Sequence, residues 1–475
     1  MTYRTPRHVL MVAAEFPPVK TIGRLRTMKF IEHLRAHGWS ATVLTVAMNG
    51  TSIVADPALE HEIPAGTPVH RTACPDLEAL AADCAKRVLG RHRAKGDAGD
   101  PPAAGTVPAA AREQPVMDRL HATMTSCLRN TVHVPDPYIL WVPGAIRAGL
   151  RICRERKVDA IHTTLPPFSA ALIGNRLKRR TGLPWIVDYR DLWFGDVLRD
   201  WVPPVRRRLE LWLERRWIAP ADAIVAVSAE KTEFLRTLHA GRDRILETIT
   251  NGYDAEEFAD IGAYRRQDPA TISFVFTGRL FKNRQGYAFA EALGRLKAER
   301  PDLAAAARVF FYGGVSPEIR ARYDEILARH DLAGQVRFAG DVPHAEAKAA
   351  QVNADYLLLI VDTGETSDGV IPGKLFEYVA AGRPIFALTD PGATATIIRR
   401  GRLGRVVDAR DVEGCRNALA DLLSRPVPER LDADADYLGQ FDRRAVTARL
   451  AGLLDRVTEP GEAAARRLIL RASGP

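Results

Sequence analysis

Short apolar runs rich in β-branched and aromatic residues alternate with longer amphipathic stretches along most of the chain, and this pattern constrains the fold more than any other feature. Such runs are typical of buried strands, and apolar residues spaced three and four positions apart are typical of helices. Strands that alternate with helices form parallel sheets covered by helices on both faces. The sequence therefore predicts an α/β fold with doubly wound parallel sheets.

The alternation starts twice along the 475 residues. In the first half, strands are predicted at 8–14, 41–46, 159–163, 184–189 and 223–227, with helices at 24–37 and 169–180. In the second half, strands are predicted at 272–277, 308–312, 336–339, 356–361 and 384–388. The turn-forming tripeptide Thr250, Asn251 and Gly252 separates the two halves. The sequence therefore predicts two Rossmann-like domains joined by a hinge.

The predicted domains span residues 1–250 and 251–430. A last segment over 431–457 contains an amphipathic helix, and a flexible tail follows over 458–475. Residues 86–113 are rich in Gly, Pro, Ala and Asp after a basic cluster, which predicts an insertion in the first domain. A solvated loop and a contact with an anionic surface are both compatible with this composition.

Composition and net charge limit the kinds of partner that the protein is expected to bind. The net charge of +9 favours anionic partners, which include nucleic acid, membrane surfaces and phosphorylated small molecules. No nucleic-acid-binding module is recognisable, so we expect no nucleic-acid partner. The five cysteines are scattered, which predicts neither a disulfide framework nor a zinc site. No apolar run is long enough to cross a bilayer or serve as a secretory signal, so we expect a cytoplasmic protein.

The loop after the first strand contains no GxGxxG motif, which argues against a nicotinamide or flavin oxidoreductase. In parallel sheets, ligands bind beyond the carboxyl ends of the strands. Gly23 in this loop lets a ligand approach the backbone. Arg24 and Arg26 lie in the first helical turn, where the helix dipole disfavours cations. They therefore indicate either a bound anion or side chains that simply point into solvent.

A second loop carries cations in the other half. Arg279, Lys282 and Arg284 follow the strand at 272–277 and its terminal Gly278, and a pyrophosphate would neutralise them.

Further along, Pro372 and Gly373 open a helix with free backbone N–H groups. Lys374 and Glu377 share one face of this helix, where the lysine can reach phosphate and the carboxylate can accept hydrogen bonds from ribose hydroxyls. An exposed ion pair is the alternative.

Several motifs together resemble a known family. They are residues 15–18 (Glu-Phe-Pro-Pro), 163–169, 188–193 (Asp-Tyr-Arg-Asp-Leu-Trp), 250–254, 277–280 and 372–378. In this order and at these separations the sequence resembles the GT-B glycosyltransferases of family four, and particularly the subgroup of bacterial surface-polysaccharide enzymes. The resemblance implies two Rossmann-like domains that face a central cleft, with the last helix crossing back to the first domain.

The resemblance also implies retaining, metal-independent transfer from a nucleoside-diphosphate sugar to a glycan or lipid-linked acceptor, without a further cofactor. Arg279 and Arg284, or Lys282, match the basic pair that neutralises the leaving diphosphate, and Glu377 matches the ribose-binding carboxylate. The neighbouring Gly278, Gly373, Lys374 and Leu375 are expected in the donor site.

Two departures from the family pattern stand out. Gly369 lies where relatives carry a glutamate eight positions before the ribose-binding carboxylate, and Asp362, Glu365 and Asp368 are candidate substitutes. Arg190 and Asp191 stand where many relatives have a histidine. We predict a catalytic role for both, with a structural ion pair as the alternative. The other residues expected in the cleft on the acceptor side are Gly23, Arg24, Thr164 and Asp188.

Two other functions and one surface stay open. A non-catalytic nucleotide-sugar-binding module and a GT-B nucleotide-sugar epimerase share the expected fold. The basic and apolar helix at 205–217 is compatible with docking on an anionic membrane, at the inner face of the cell membrane, where a lipid-linked acceptor would reside. A buried apolar face with a solvated basic face explains the same pattern.

Overall fold

The computed structural model describes residues 7–47, 54–75, 133–262, 264–266, 268–429 and 431–459. The insertion predicted at 86–113 and nearly all of the predicted tail lie outside these ranges. Among the described residues, none of the helices combines the length and apolar character that a membrane span requires.

The first sheet is formed by seven described strands, all parallel, in the order β3-β2-β1-β4-β5-β6-β7. The strands are β1 (Arg7–Val12), β2 (Trp39–Ala47), β3 (Val69–Ala73), β4 (Ala160–Leu165), β5 (Trp185–Tyr189), β6 (Ala223–Ala226) and β7 (Ile245–Thr248). The order reverses between β1 and β4, so the loops after these two strands flank a switch point where ligands bind in such sheets.

The second sheet has the same design, with six described strands in the order β10-β9-β8-β11-β12-β13, also all parallel. They are β8 (Ile272–Thr277), β9 (Ala307–Tyr312), β10 (Val336–Gly340), β11 (Tyr356–Ile360), β12 (Ile385–Leu388) and β13 (Gly404–Val407). Its switch point lies between β8 and β11. The prediction of two doubly wound parallel sheets is confirmed.

Helices cover both faces of each sheet. Those of the first domain are α1 (Arg24–Leu34), α2 (Val142–Glu155), α3 (Ser169–Thr181), α4 (Pro204–Ile218) and α5 (Ala229–Leu238). Those that follow are α6 (Tyr287–Glu299), α7 (Pro301–Ala304), α8 (Pro317–Arg329), α9 (His344–Val352), α10 (Gly373–Ala381), α11 (Ala393–Arg400), α12 (Val412–Leu423), α13 (Ala435–Gly439) and α14 (Arg443–Thr458).

Strand β1 shows why its sequence is apolar at every position. Leu10 and Val12 pack into the core on one face of the first sheet, while Val9 and Met11 pack into the core on the other face. Successive side chains of a strand point to opposite faces, so a strand covered on both sides needs an uninterrupted apolar run. The two cores of the second sheet divide β8 in the same way.

Helix α14 belongs to the first domain in space, although it follows the second domain in sequence. Val446, Leu450 and Leu454 of this helix pack in one core with Met11 and Phe30. The chain therefore crosses between the domains twice. Tyr253 in the first crossing segment forms a parallel β-bridge with Asp442 in the second.

Candidate active site

Two cavities lie side by side in the cleft between the domains. The first has a volume of about 350 Å³, and we call it the arginine cavity because its lining includes Arg26, Arg190, Arg284 and Arg443. The second has a volume of about 810 Å³, and we call it the lysine cavity because its lining includes Lys20, Lys29, Lys348 and Lys374. Both domains line each cavity.

The switch point of the second sheet brings two charged side chains into the arginine cavity. Arg284 follows β8, and its Nη2 donates to Oδ2 of Asp362, which follows β11, at 2.7 Å. Asp362 is buried, and its Oδ1 has no hydrogen-bond partner within the described part of the chain. The Nε of Arg284 is buried and unpartnered in the same sense. Each side chain thus retains hydrogen-bonding capacity for a ligand.

Helix α10 brings a second set of residues to the cavities. Its first residue, Gly373, lines the arginine cavity, and Glu377 one turn later lines both cavities. Glu377 Oε2 accepts hydrogen bonds from Lys374 Nζ at 2.7 Å and from Gln351 Nε2 at 3.0 Å. Both contacts use the same oxygen, so Oε1 has no hydrogen bond from any described residue. The half-buried ion pair fixes the carboxylate in an orientation suited to accept from a hydroxyl.

The first domain supplies Arg190, which follows β5 and is 8% exposed. Its Nη1 donates to Glu15 Oε2 at 2.5 Å, and its Nη2 donates to the Pro166 carbonyl at 2.6 Å. These two partners follow β1 and β4, so Arg190 ties together the loops at the switch point of the first sheet. Asp191 is half-exposed and lies 3.4 Å from Lys231 Nζ. Arg190 and Asp191 both line the arginine cavity.

Below Arg190, Asp188 forms a buried two-point ion pair with Arg26, at 2.8 and 2.9 Å. Burial alone would raise the pKa of Asp188, but Arg26 holds that pKa below its usual range. His162 lies 3.6 Å from Asp188. Burial lowers the pKa of His162 to about 4 against the opposing effect of Asp188, so its ring is neutral at pH 7.

Five predicted site residues do not reach the cavities with a side chain. Arg279 is exposed and lines neither cavity; its guanidinium lies near Gly314 on the loop after β9. Lys282 is exposed and pairs with Asp200 of the first domain at 2.6 Å. Leu375 points into the core under β11, because α10 presents its opposite face to the cleft.

Thr164 and Asp188 are the other two, whereas Arg24 reaches a cavity but has partners of its own. Thr164 is buried within β4, upstream of the loop that reaches the cleft. Asp188 is fully buried behind Arg26, so it positions that arginine and does not face the cleft. Arg24 lines the lysine cavity beside Gly278, but it donates to the Thr21 carbonyl and to Glu62. The Arg26–Asp188 and Arg24–Glu62 pairs join residues distant in sequence, which local patterns do not reveal.

Gly369 lies in a crowded position, where the resemblance to the family leads one to expect a glutamate. A Cβ at this position would lie 2.9 Å from Lys231 Cγ and 3.2 Å from Ser228 Oγ, both on the first domain. Among the three candidate substitutes, Asp362 lines the arginine cavity, whereas Glu365 and Asp368 are exposed and line neither cavity. Asp362 is therefore the candidate whose position suits this role, and the role itself stays a prediction.

Three cavity residues escape prediction from the sequence. Lys231 of α5 is buried and donates to the Arg190 carbonyl at 3.1 Å. Arg443 begins α14, and its guanidinium has no hydrogen bond or ion pair with any described residue; burial, next to Arg26, lowers its pKa to about 10. His344 begins α9 and lines both cavities, and burial lowers its pKa. Each lies at a helix start or on a helix, without a motif around it.

Comparisons with known proteins agree with this geometry. Residues 23–252 match the family model described as Glycosyl transferase 4-like domain, and residues 271–425 match Glycosyl transferases group 1. Sucrose-phosphate synthase from Thermosynechococcus elongatus superposes with a TM-score of 0.61 at 16% identity, over 95% of this chain and 99% of that chain. The chain belongs to the GT-B glycosyltransferase family. This assignment confirms the resemblance drawn from the motifs.

One curated protein and a second solved structure are also similar to this chain. The phosphatidyl-myo-inositol mannosyltransferase of Mycolicibacterium smegmatis is 29% identical over 223 residues, which are 45% of this chain and 52% of that protein. The chain thus spans about half the length of this curated relative. Anabaena HepE, solved in complex with UDP, has a TM-score of 0.59 at 12% identity, over 94% of this chain and 99% of that chain.

Proposed function

We propose that the protein is a retaining, metal-independent glycosyltransferase that moves a sugar from a nucleoside-diphosphate sugar to a glycan or lipid-linked acceptor in cell-surface polysaccharide synthesis. One observation carries the proposal. Arg284 and Glu377 of the second domain face Arg190 and Lys231 of the first across a single cavity of about 350 Å³. That volume is in the range of small-molecule sites, and each domain offers charged groups to it.

The transfer breaks the bond between the anomeric carbon and the diphosphate oxygen of the donor, and forms a bond from that carbon to an acceptor oxygen. The bonding electrons leave with the nucleoside diphosphate, and the acceptor hydroxyl gives up its proton. Fixed cations lower the barrier where the negative charge develops. Arg284 and Arg443 are the cations of the arginine cavity that suit this role, with the N–H groups at the start of α10.

The sugar and ribose hydroxyls need acceptors as well. Glu377 Oε1 is suited to a ribose hydroxyl, and Asp362 Oδ1 is suited to a hydroxyl of the transferred sugar, since both oxygens lack partners among the described residues. In this scheme Asp362 takes the role that relatives give to the glutamate replaced here by Gly369. The name of the Mycolicibacterium relative, which joins a lipid-borne inositol to a mannosyl transfer, favours a lipid-linked acceptor.

Donor binding tests the site. Titration calorimetry with UDP, GDP and their glucose and mannose derivatives should identify a nucleotide that binds. Arg284→Ala and Glu377→Ala should each weaken that ligand about tenfold or more, because each removes a charged hydrogen-bond partner. Arg337→Ala, which truncates an exposed arginine on β10, is the matched control. Unchanged affinity in both site variants would reject the site assignment.

Turnover tests the reaction. The anomeric configuration of the product, read by NMR coupling constants, should equal that of the donor, and the rate should persist in EDTA. Among the described residues, no group of three or more histidine, cysteine or acidic side chains is placed to hold a metal ion. Affinity for a nucleotide sugar with neither transfer nor hydrolysis would instead favour the non-catalytic binding module, to which Gly369 also points.

A further inference from the structure

Helix α4 buries three charged side chains and exposes three large apolar ones. Arg206, Glu210 and Glu214 are buried at successive turns of this helix. Glu210 accepts from Arg206 Nε at 2.6 Å, and Glu214 accepts from the Tyr189 hydroxyl at 2.9 Å. The face packed on the domain therefore contains a polar network beside the apolar Leu213, Trp217 and Ile218.

The opposite face is apolar and open. Val205 is 78% exposed, Leu209 46% and Trp212 58%. Of the seven large hydrophobic side chains exposed in the described ranges, these three and the nearby Leu198 and Trp201 make five, all within residues 198–212. Exposed apolar residues scattered singly need no explanation, but a contiguous group marks an interaction surface.

Three exposed arginines flank the apolar residues. Arg208, Arg215 and Arg216 have no hydrogen bond or ion pair from their side chains to any part of the chain that the structure describes. At 3.6 residues per turn they share an arc of about 120° with Val205, Leu209 and Trp212. We call these six residues the α4 surface.

The α4 surface adjoins the cleft. Leu198, six residues before the start of the helix, lines the arginine cavity and is 45% exposed. The same turn contacts the second domain: the Val197 carbonyl accepts from Asn283 Nδ2 at 3.1 Å, and Asp200 pairs with Lys282. A partner bound to the α4 surface would therefore sit at the mouth of the cleft.

We propose that the α4 surface docks the protein onto the face of an anionic phospholipid bilayer. Tryptophan and aliphatic side chains insert at the boundary of headgroups and acyl chains, while arginines bind anionic headgroups. A second copy of the chain is a poorer occupant, because a symmetric contact would bring the same three arginines together from both copies. The surface would place a lipid-linked acceptor beside the cleft, and that last step rests on the proposed function.

Vesicle co-sedimentation tests the docking, without nucleotide sugar or acceptor. The wild-type chain should pellet with vesicles of phosphatidylcholine and phosphatidylglycerol, and should remain in solution with pure phosphatidylcholine vesicles. Val205→Glu should lower the bound fraction about tenfold, because it places a charge in the inserted face. Val54→Glu makes the same change at a valine that is 67% exposed elsewhere in the first domain, and it should bind as the wild type does.

A second pair of matched variants tests the arginines of the α4 surface. Arg208→Glu with Arg216→Glu should lower binding about tenfold or more, since each basic residue near the surface adds a comparable factor. Arg337→Glu with Arg410→Glu changes the net charge equally on the second domain and should bind normally. Equal loss in both double variants would show that charge alone drives binding and would overturn the proposal.

Other outcomes are also decisive. Failure of the wild type to bind anionic vesicles at low salt overturns the docking, as does a dimer by light scattering that Val205→Glu converts to a monomer. Circular dichroism and retained nucleotide affinity should show that Val205→Glu is folded. Vesicle binding without any nucleotide affinity would reject the proposed function while leaving the α4 surface intact.

Discussion

At the scale of single residues, the cleft depends on close approaches that only small or precisely paired groups allow. Gly23 immediately precedes α1, and the ion pair of Arg190 and Glu15 lies directly over it. A Cβ there would lie 1.6 Å from Arg190 Nη1 and 1.7 Å from Glu15 Oε2. The glycine is therefore needed for the position of the arginine; it also lines the arginine cavity, and the approach of a ligand to its backbone stays a prediction.

Gly23→Ala should displace Arg190, lower turnover, and cost about 1–3 kcal/mol of unfolding free energy, as overpacking usually does. Gly452→Ala is the matched control: it lies within α14, and nothing lies within 4 Å of its added Cβ. This control should be neutral or stabilising by up to about 1 kcal/mol. Urea denaturation measures both, and a wild-type activity in Gly23→Ala would contradict the role assigned to Arg190.

His162 makes stability depend on pH. Its folded pKa of about 4 lies below the ordinary value of 6.5, so the unfolded chain binds the proton more readily between these values. Stability should fall as pH drops from 6.5 towards 4, by about 3 kcal/mol from this group. The pKa values of His8, His70 and His344 are lowered too, and these residues add to the same trend.

Thermal unfolding between pH 7 and pH 4 measures this effect. His162→Gln removes the titrating group, so its Tm should change less steeply with pH than that of the wild type. An identical slope in both proteins would mean that His162 does not carry this dependence.

At the scale of elements, α4 shows how a helix can be misjudged from its sequence. Its pattern of arginines and apolar residues fits a helix that buries its apolar side. This is one of the two interpretations that the sequence allows. The structure shows a mixed face instead: Leu213, Trp217 and Ile218 pack on the first domain, and Glu210 binds Arg206, Arg199 and the Trp193 Nε1–H beside them. Buried charges persist only when several partners satisfy them.

Glu210→Ala should destabilise the protein by about 3–5 kcal/mol, since it leaves two arginines uncompensated in a buried site. Glu413→Ala on α12 is a matched control, because Glu413 also pairs with two arginines, Arg295 and Arg416, but on the surface. The control should show no measurable change in Tm. Similar losses in the two variants would contradict the difference in burial.

Some strands were also missed by the prediction from sequence. The strands absent from the sequence-based prediction are β3, β7 and β13, which lie at sheet edges. Their burial is partial: β7 is half-buried throughout, and the first two residues of β13 are exposed. An edge strand needs no continuous apolar run, so it carries a weaker signal than a central one.

At the scale of the whole molecule, the two domains contact each other through loops that also line the cleft. Ser228 Oγ of the first domain donates to the Gly369 carbonyl of the second at 2.9 Å, and Lys29 pairs with Asp254 in the crossing segment at 2.9 Å. A side chain at position 369 would therefore push the domains apart before it could reach a ligand.

Gly369→Glu, which introduces the glutamate that the family resemblance leads one to expect, should lower activity and enlarge the radius of gyration in small-angle scattering. The reason is the 2.9 Å approach of Lys231 Cγ to the added Cβ. Gly334→Glu adds the same side chain where nothing lies within 4 Å, and should change neither property. A gain of activity in Gly369→Glu would contradict the substitution by Asp362.

The sequence by itself determined the two parallel sheets, and it predicted the break near residue 250 and a donor site at the loops after β8 and before α10. These follow from local periodicity and from turn residues, which act over a few positions. Only the tertiary structure decided which charges meet in the cleft. Arg26 and Asp188 are 162 positions apart, yet their pairing removes Asp188 from the cavity. Such pairings depend on side-chain direction and on neighbours brought together by the fold, and no local pattern encodes either.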